Sequence, residues 1–164
     1  MRNRYPVLDE LDRKILDRYQ RDTRLPAQEI GRAIGLSVAA VQRRLKRMRE
    51  TGVITAEVAC VAPEAVGQPL TCIVTVDLER EKAVDLERFR RRILAHDRVQ
   101  QCYYVTGQAD FLLVVFARDM ADYEDFTRHV FLNDGNVKSF TTHVVLERVR
   151  VGMMTPIAAP DSTS

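Results

Sequence analysis

Cysteine is scarce in this chain, and the spacing of the few cysteines excludes some classes of site. Cys60, Cys72 and Cys102 are odd in number, lie 12 and 30 residues apart and form no Cys-x-x-Cys pair. Metal sites and disulfide frameworks need even or closely spaced sets of ligands. We therefore expect no metal, no disulfide framework and no bound cofactor.

Long apolar runs are also missing. No stretch of 18 apolar residues occurs, and no charged segment followed by an apolar one opens the chain. A membrane span and a secretory signal each require such a segment. The sequence therefore predicts a cytoplasmic protein without a membrane partner.

The charge is divided unevenly along the 164 residues, a length that suits one domain or two small ones. Residues 1–52 contain 13 Lys and Arg against 7 Asp and Glu, a net charge of +6, whereas residues 53–164 contain 12 against 16, a net charge of −4. This asymmetry indicates a module that binds a polyanion, joined to one that does not.

The segment 35–52 predicts a basic helix with a defined beginning and end. Ser37 is a good N-cap, and Gly52 suits the left-handed position after a helix. One side of this helix is apolar and consists of Val38, Val41, Leu45 and Met48. Five cations against the single anion Glu50 give the helix a net charge of +4. Its charge and its slim first turn suit the major groove of DNA, although a solvated basic face on an ordinary surface helix would look similar.

The residues before this helix favour the first interpretation. A short helix over 25–34 and the Gly35-Leu36 turn precede it, which is the helix-turn-helix arrangement. A further helix of about four turns, starting near Leu8, supplies the apolar surface on which the other two pack.

The rest of the chain predicts a second domain. Residues 53–61 are rich in β-branched side chains and predict a short strand, and 62–69 contain two prolines and a glycine, which favours a linker. After it, the pattern predicts strands over 70–78, 99–106, 111–117 and 137–151, with helices over 82–95 and after Asp119. The order βαββαβ is that of a ferredoxin-like α+β sandwich, whose open sheet face a second copy could cover. The expected domains are 1–52, a strand and linker over 53–69, 70–155, and a frayed tail over 156–164.

Several motifs together make the chain resemble the Lrp/AsnC (feast/famine) family of prokaryotic transcriptional regulators. They are Leu8-Asp9-Glu10-Leu11-Asp12-Arg13-Lys14-Ile15-Leu16, Ile34-Gly35-Leu36-Ser37, Arg43-Arg44-Leu45, Gly52-Val53-Ile54, and Val105-Thr106-Gly107 with Asp110. The resemblance implies a three-helix, winged-helix-like helix-turn-helix domain, linked to a ferredoxin-like domain that dimerises through its sheet. It also implies assembly to higher oligomers such as octamers, and a small-molecule effector, usually an amino acid, bound between subunits near the hairpin glycine.

Carried over residue by residue, the resemblance implies two sites. Expected DNA contacts are Ser37, Ala39, Gln42, Arg43, Arg44, Lys46 and Arg47, with Gln42 and Arg43 as the base readers and most of the cations on phosphates. The expected effector site consists of Gly107, Gln108, Ala109, Asp110 and, across the subunit interface, Thr142 and His143. The family hairpin commonly reads Gly-Asp-Tyr/Phe-Asp, so Gln108 and Ala109 depart from it.

Two other functions remain open from the sequence. One is an effector-independent architectural DNA-binding protein of the nucleoid. The other is an enzyme similar to sirohaem decarboxylases, which resemble two-domain members of the same family. The enzyme is disfavoured, because His96, His129 and His143 are scattered and the basic helix is intact.

Overall fold

The computed structural model describes residues 5–157. The chain divides into two compact units, of which one comprises residues 5–59 with 150–157 and the other residues 60–149. Most of the frayed tail expected over 156–164 lies outside the described residues. None of the helices in residues 5–157 is long and apolar enough to cross a membrane.

The first unit consists of three helices, and its elements follow the predicted order. They are α1 (Glu10–Tyr19), α2 (Ala27–Ile34) and α3 (Val38–Glu50). Asp9 caps α1, whose length is 10 residues rather than the expected four turns. The three helices enclose one core, which consists of Ile15, Tyr19, Ile30, Val41, Leu45 and Met48.

The connection between the units differs from the expectation. Residues 53–61, all of them described, form no strand, because the backbone there has no neighbouring strand with which to pair. A short 3-10 helix follows at Pro63–Val66. The first unit's N-terminal part ends at residue 59, before the predicted linker over 62–69. Residues 150–157 also belong to the first unit, although 150–155 were expected in the second domain and 156–157 in the tail.

The second unit has the predicted βαββαβ order. Its strands are β1 (Leu70–Leu78), β2 (Val99–Tyr104), β3 (Phe111–Ala117) and β4 (Val137–Val144), and its helices are α4 (Ala83–Leu94) and α5 (Met120–Thr127), the latter extended by a π-helical turn at Arg128–Leu132. All strands pair antiparallel in the order β2-β3-β1-β4. This is the ferredoxin-like arrangement, so the predicted fold class is confirmed.

The two faces of the sheet have different environments. Side chains from the inward face of β1 and β3 pack with Phe89, Ile93, Phe126 and Phe131 of the helical layer, and these residues are almost fully buried. On the other face Ile73, Leu112, Val114 and Phe116 remain partly exposed. The second unit therefore has one packed face and one partly exposed face with an apolar strip along β3.

Candidate nucleic-acid interface and ligand site

The helix α3 begins and ends where the sequence predicts. The Ser37 hydroxyl accepts a hydrogen bond from the Ala40 backbone N–H at 3.2 Å, which confirms the N-cap. Gly52 follows the helix with φ 72°, and Gly35 ends α2 with φ 76°, both in the left-handed region that favours glycine. These caps fix the position of α3 relative to α2.

The buried side of α3 is narrower than predicted. Val41, Leu45 and Met48 lie in the core, whereas Val38 is 42% exposed and does not belong to it. Val38 lies in the first turn, next to the exposed cap residue Ser37. The exposed face of α3 therefore includes its first turn.

Five of the seven predicted DNA contacts lie on this exposed face. They are Ser37, Ala39, Gln42, Arg43 and Lys46. Lys46 is 3.8 Å from Glu50 in a pair whose side chains are 75% and 63% exposed, so solvent screens the interaction and Lys46 stays available. A surface of this kind, with one amide and two cations around small residues, can approach a duplex closely.

The other two predicted contacts point toward α1. Arg44 donates to Asp9 at 2.6 Å and to Asp12 at 2.8 Å, and its side chain is only 20% exposed. Arg47 donates to Asp12 at 2.5 Å. Both guanidinium groups thus have a carboxylate partner on α1, and the expectation that they contact DNA stays a prediction.

The last arginine of α3 is also bound within the first unit. Arg49 donates to the Glu57 carboxylate at 2.9 and 3.0 Å and to the Tyr19 hydroxyl at 2.8 Å, while that hydroxyl donates to Glu57 at 2.6 Å. The hydrogen bonds from Tyr19 and Arg49 lower the pKa of Glu57, which stays ionised at neutral pH. The role of Asp9, Asp12 and Glu57 as partners of the α3 arginines was not predicted from the sequence. The Asp9-x-x-Asp12 pattern, which forms a capping box, was the signal that could have indicated the first two.

In the second unit, the predicted ligand residues lie around the turn between β2 and β3. Gly107 has φ 127°, a value that side chains rarely adopt, and a Cβ added there would have no neighbour within 4 Å. Gln108 is exposed and Ala109 is half-buried. The turn therefore leaves space beside Gly107 for a ligand or another chain.

Asp110 has a structural contact of its own. Its Oδ2 accepts a hydrogen bond from the Leu78 backbone N–H at 2.7 Å, and its own N–H donates to the Val76 carbonyl at 3.1 Å. These bonds connect the start of β3 to the end of β1. Oδ1 takes part in neither bond and is therefore the oxygen most open to a ligand.

Thr142 and His143 do not share a surface. In β4 they are consecutive, so their side chains point to opposite faces of the sheet. Thr142 pairs with Val74 and its hydroxyl is 2.5 Å from that of Tyr123 in the helical layer, whereas His143 pairs with Ile73 and is exposed on the open face. Their expected place in an effector site across a subunit interface stays a prediction.

Residues 5–157 contain no group of three or more His, Cys, Asp or Glu side chains that could bind a metal ion. Cys60 is exposed, Cys72 is buried and Cys102 is intermediate, and all three thiols are free. Burial raises the pKa of the Cys72 and Cys102 thiols. These thiols are therefore protonated and unreactive at neutral pH.

Family models match both units. A model of the AsnC-type helix-turn-helix domain matches residues 8–49, and one of the Lrp/AsnC ligand binding domain matches residues 71–154. Each match spans the elements that carry one of the two surfaces described above.

Similar proteins cover nearly the whole chain. An HTH-type transcriptional regulator of Sinorhizobium fredii is 47% identical over 92% of this chain and 89% of its own length. The leucine-responsive regulatory protein of Haemophilus influenzae is 34% identical over 91% of this chain and 90% of its own length. A crystal structure of a transcriptional regulator from Neisseria meningitidis, in complex with L-methionine, is 28% identical with a TM-score of 0.84 and covers 92% of this chain and 97% of that one.

The domains and relatives are those of transcriptional regulators and not of enzymes, so the decarboxylase-like alternative is not supported. The chain belongs to the Lrp/AsnC family of transcriptional regulators.

Proposed function

We propose that this regulator binds specific DNA sequences through α3 as a homodimer, and that an amino acid modulates its binding or assembly. The observation that carries the proposal is the exposed face of α3, on which Gln42, Arg43 and Lys46 are free of partners on α1. Its site of action is the nucleoid in the cytoplasm. Ser37 and Ala39 lie close to the duplex at the first turn of the helix.

The roles of the three polar side chains follow from their chemistry. Lys46 is a point charge that binds a phosphate and contributes about one unit to the salt dependence of affinity. Arg43 and Gln42 have paired donors and acceptors that suit the base edges of guanine and adenine. Affinity therefore depends on all three, and sequence preference on Gln42 and Arg43.

A DNA titration with point variants tests these roles. We expect Lys46→Gln to weaken binding to every duplex alike and to lower the slope of log K against log salt by about one. Arg43→Gln is expected to weaken binding and also to relax sequence preference. Gln28→Ala, which changes an exposed position of α2, is the control. Titrations unchanged for both α3 variants would contradict the proposed face.

The dimer is proposed to form through the open sheet face. Ile73, Leu112 and Val114 would lose water there on contact with a second copy, which stabilises association by about 25 cal/mol for each Å² of apolar surface buried. Two symmetry-related α3 helices then read two half-sites about one helical turn or a multiple apart. Further assembly, for example to an octamer, is part of this proposal.

The effector is proposed to be an amino acid bound near Gly107 at the edge of this dimer. The L-methionine complex of the Neisseria meningitidis regulator supports this ligand class. Asp110 Oδ1 is suited to accept from the ligand ammonium, and the Gln108 amide is suited to donate to its carboxylate. His143 on the open face is available to a ligand at the interface, whereas Thr142 is bonded to Tyr123.

A thermal-shift screen of the twenty amino acids tests the effector. A ligand that binds only the folded protein raises its melting temperature. The variant of choice is Asp110→Asn, because asparagine still accepts the Leu78 N–H hydrogen bond but loses the charge. We expect it to abolish the ligand-induced shift and to keep ligand-free DNA affinity within about twofold. Glu81→Gln, which removes an exposed carboxylate from the same unit, is the control. No shift with any amino acid would favour the architectural alternative instead.

A further inference from the structure

The five cations of α3 are not equally available to a polyanion. Arg44 and Arg47 end on Asp12, whose side chain is 1% exposed, and Arg44 also contacts Asp9. Arg43 and Lys46, which directly precede Arg44 and Arg47 in the sequence, are exposed without a partner on α1. Two faces of one basic helix therefore have different electrostatic roles.

The carboxylates are placed in advance by the first turn of α1. The Asp12 N–H donates to Asp9 Oδ1 at 2.7 Å, and the Asp9 N–H donates to Asp12 Oδ2 at 3.2 Å, which is a reciprocal capping box. Both acids also lie at the positive end of the helix dipole, which favours their ionised form. The hydrogen bond from Arg44 lowers the pKa of Asp9, so its charge persists at neutral pH.

A buried carboxylate does not release its partners easily. Removing one partner of a buried ion pair leaves a charge without compensation, which costs far more than the loss of an exposed pair. Arg47, although 47% exposed, would leave Asp12 underpaired if it turned toward a phosphate. The contact with Asp12 therefore opposes any contact of this guanidinium with a phosphate.

We propose that Asp12, together with Asp9, is a positioning residue for DNA recognition that orients α3 and withholds Arg44 and Arg47 from the phosphates. The inference rests on the proposed DNA face of α3 and deepens it. Fewer free cations reduce affinity for DNA of any sequence, while base contacts from Gln42 and Arg43 are unaffected. Asp12 thereby raises the ratio of specific to non-specific binding.

The proposal is tested by the salt dependence of binding to a random-sequence duplex. Each phosphate contact contributes about 0.9 to the slope of log K against log salt. We expect Arg47→Gln to leave the slope unchanged, whereas Lys46→Gln lowers it by about one. Arg47 is half-exposed, so this variant is expected to fold, and its melting temperature is measured alongside.

Of the two acids, only Asp12 is expected to change the slope when it is replaced, and in the direction opposite to Lys46→Gln. Asp12→Asn releases Arg47 while Asp9 retains Arg44, so the slope steepens by about one. Asp9→Asn leaves both arginines on Asp12, so the slope stays as in the wild type. The double variant Asp12→Asn with Arg47→Gln returns to the wild-type slope. Asp17→Asn, which removes the same charge from α1 but whose partner is Arg21, is the control.

The outcomes separate the two claims. A slope lowered by both Arg47→Gln and Lys46→Gln would overturn the role of Asp12 and leave the DNA face intact. Slopes unchanged in both would overturn the DNA face and this inference with it. An Asp12→Asn variant that is folded but binds with an unchanged or shallower slope would show a purely structural role and would also overturn the inference.

Discussion

Gly31 shows how a single missing side chain permits the turn between α2 and α3. A Cβ added at Gly31 would lie 2.4 Å from the Leu36 carbonyl oxygen, closer than any real contact. The Leu36 N–H donates to the Gly31 carbonyl at 2.9 Å, so this backbone approach is part of the turn. The orientation of α3 therefore depends on glycine at this helical position.

We predict that Gly31→Ala destabilises the first unit by about 1–3 kcal/mol, as expected for an overpacked site. Alanine is the better helix former by about 1 kcal/mol, so destabilisation would show that the contact with Leu36 dominates. Urea unfolding measures the difference. Gly135→Ala is the matched control, since a Cβ there meets nothing within 4 Å. Equal stability of the two variants would contradict the close approach.

Tyr123 makes the stability of the second unit depend on pH in the alkaline range. Burial raises the pKa of Tyr123 from 10.0 to about 12. Below pH 10 the phenol is neutral in both states, whereas above it the unfolded chain ionises first, so stability falls as pH rises from 10 toward 12. From this residue we expect a loss of about 1.4 kcal/mol between pH 9 and pH 11. Phenylalanine lacks the ionisable group, so urea unfolding of Tyr123→Phe should show a loss of stability about 1.4 kcal/mol smaller than in the wild type over this pH range. An identical loss in both proteins would refute Tyr123 as the cause.

Whether a residue could be predicted depended on how far its partner lies along the chain. The caps Ser37 and Asp119 bond to N–H groups three residues later, so the local sequence was sufficient. Arg44 and Arg47 bond to an acid 32 and 35 residues away, and no local pattern of α3 indicates that contact. The DNA and effector roles of the exposed residues stay predictions.

At the scale of elements, the bounds of strands were predicted correctly where alternate side chains are buried. They were predicted wrongly where no neighbouring strand pairs with the segment. β1 and β3 have the predicted bounds because every second side chain is buried. β4 was predicted to reach 151 but ends at Val144, because β1, with which it pairs, begins at Leu70. Segment 53–61 has strand-like residues but no strand beside it, so composition alone misled the prediction there.

The C-terminal segment 150–157 forms a contact that composition did not indicate. The Gln20 side-chain amide donates to the Thr155 carbonyl and accepts from the Thr155 N–H, both at 3.0 Å. The amide thus makes the same pair of hydrogen bonds that the backbone of a neighbouring strand would make. Beside this contact lies a cavity of about 480 Å³ lined by α1, residues 53–57 and the segment itself. Gln20 directly follows Tyr19, whose hydroxyl binds Glu57. The end of α1 therefore contacts the first unit's chain both near residue 59, where its N-terminal part ends, and in the segment 150–157.

We predict that Gln20→Ala detaches this segment without unfolding the three helices. Two neutral hydrogen bonds of about 1 kcal/mol each are lost, so hydrogen exchange at the Thr155 amide should accelerate roughly tenfold or more. Gln28→Ala on α2 is the control and should leave exchange unchanged. Unaltered protection of Thr155 in Gln20→Ala would mean that other contacts retain the segment.

At the scale of the whole molecule, the open sheet face is the surface through which copies are proposed to associate. Ile73 of β1 and three residues of β3, Leu112, Val114 and Phe116, form an apolar strip on this face, and the Arg148 guanidinium lies 5.7 Å from the centre of the Phe116 ring. The sequence indicated an open sheet face through the βαββαβ order, which places both helices on one side of the sheet. It does not determine how many dimers assemble, because that depends on surfaces without a sequence pattern.

We predict that Val114→Lys yields monomers, since a lysine at the centre of the face would have to be desolvated against an apolar partner. Light scattering at micromolar concentration should find an even-numbered assembly for the wild type and a monomer for the variant. Val84→Lys, at a position of α4 that is 60% exposed, is the control and should assemble normally. A Val114→Lys variant that assembles like the wild type would exclude this face as the interface.

Selection of bound duplexes from a random-sequence pool tests the central claim most directly. Wild-type protein should enrich a two-fold symmetric motif with half-sites about one helical turn or a multiple apart. Arg43→Gln should lose preference within each half-site while the spacing persists, and Lys46→Gln should enrich the same motif with lower affinity. A folded wild-type protein that binds the pool but enriches no motif would contradict sequence-specific recognition by α3.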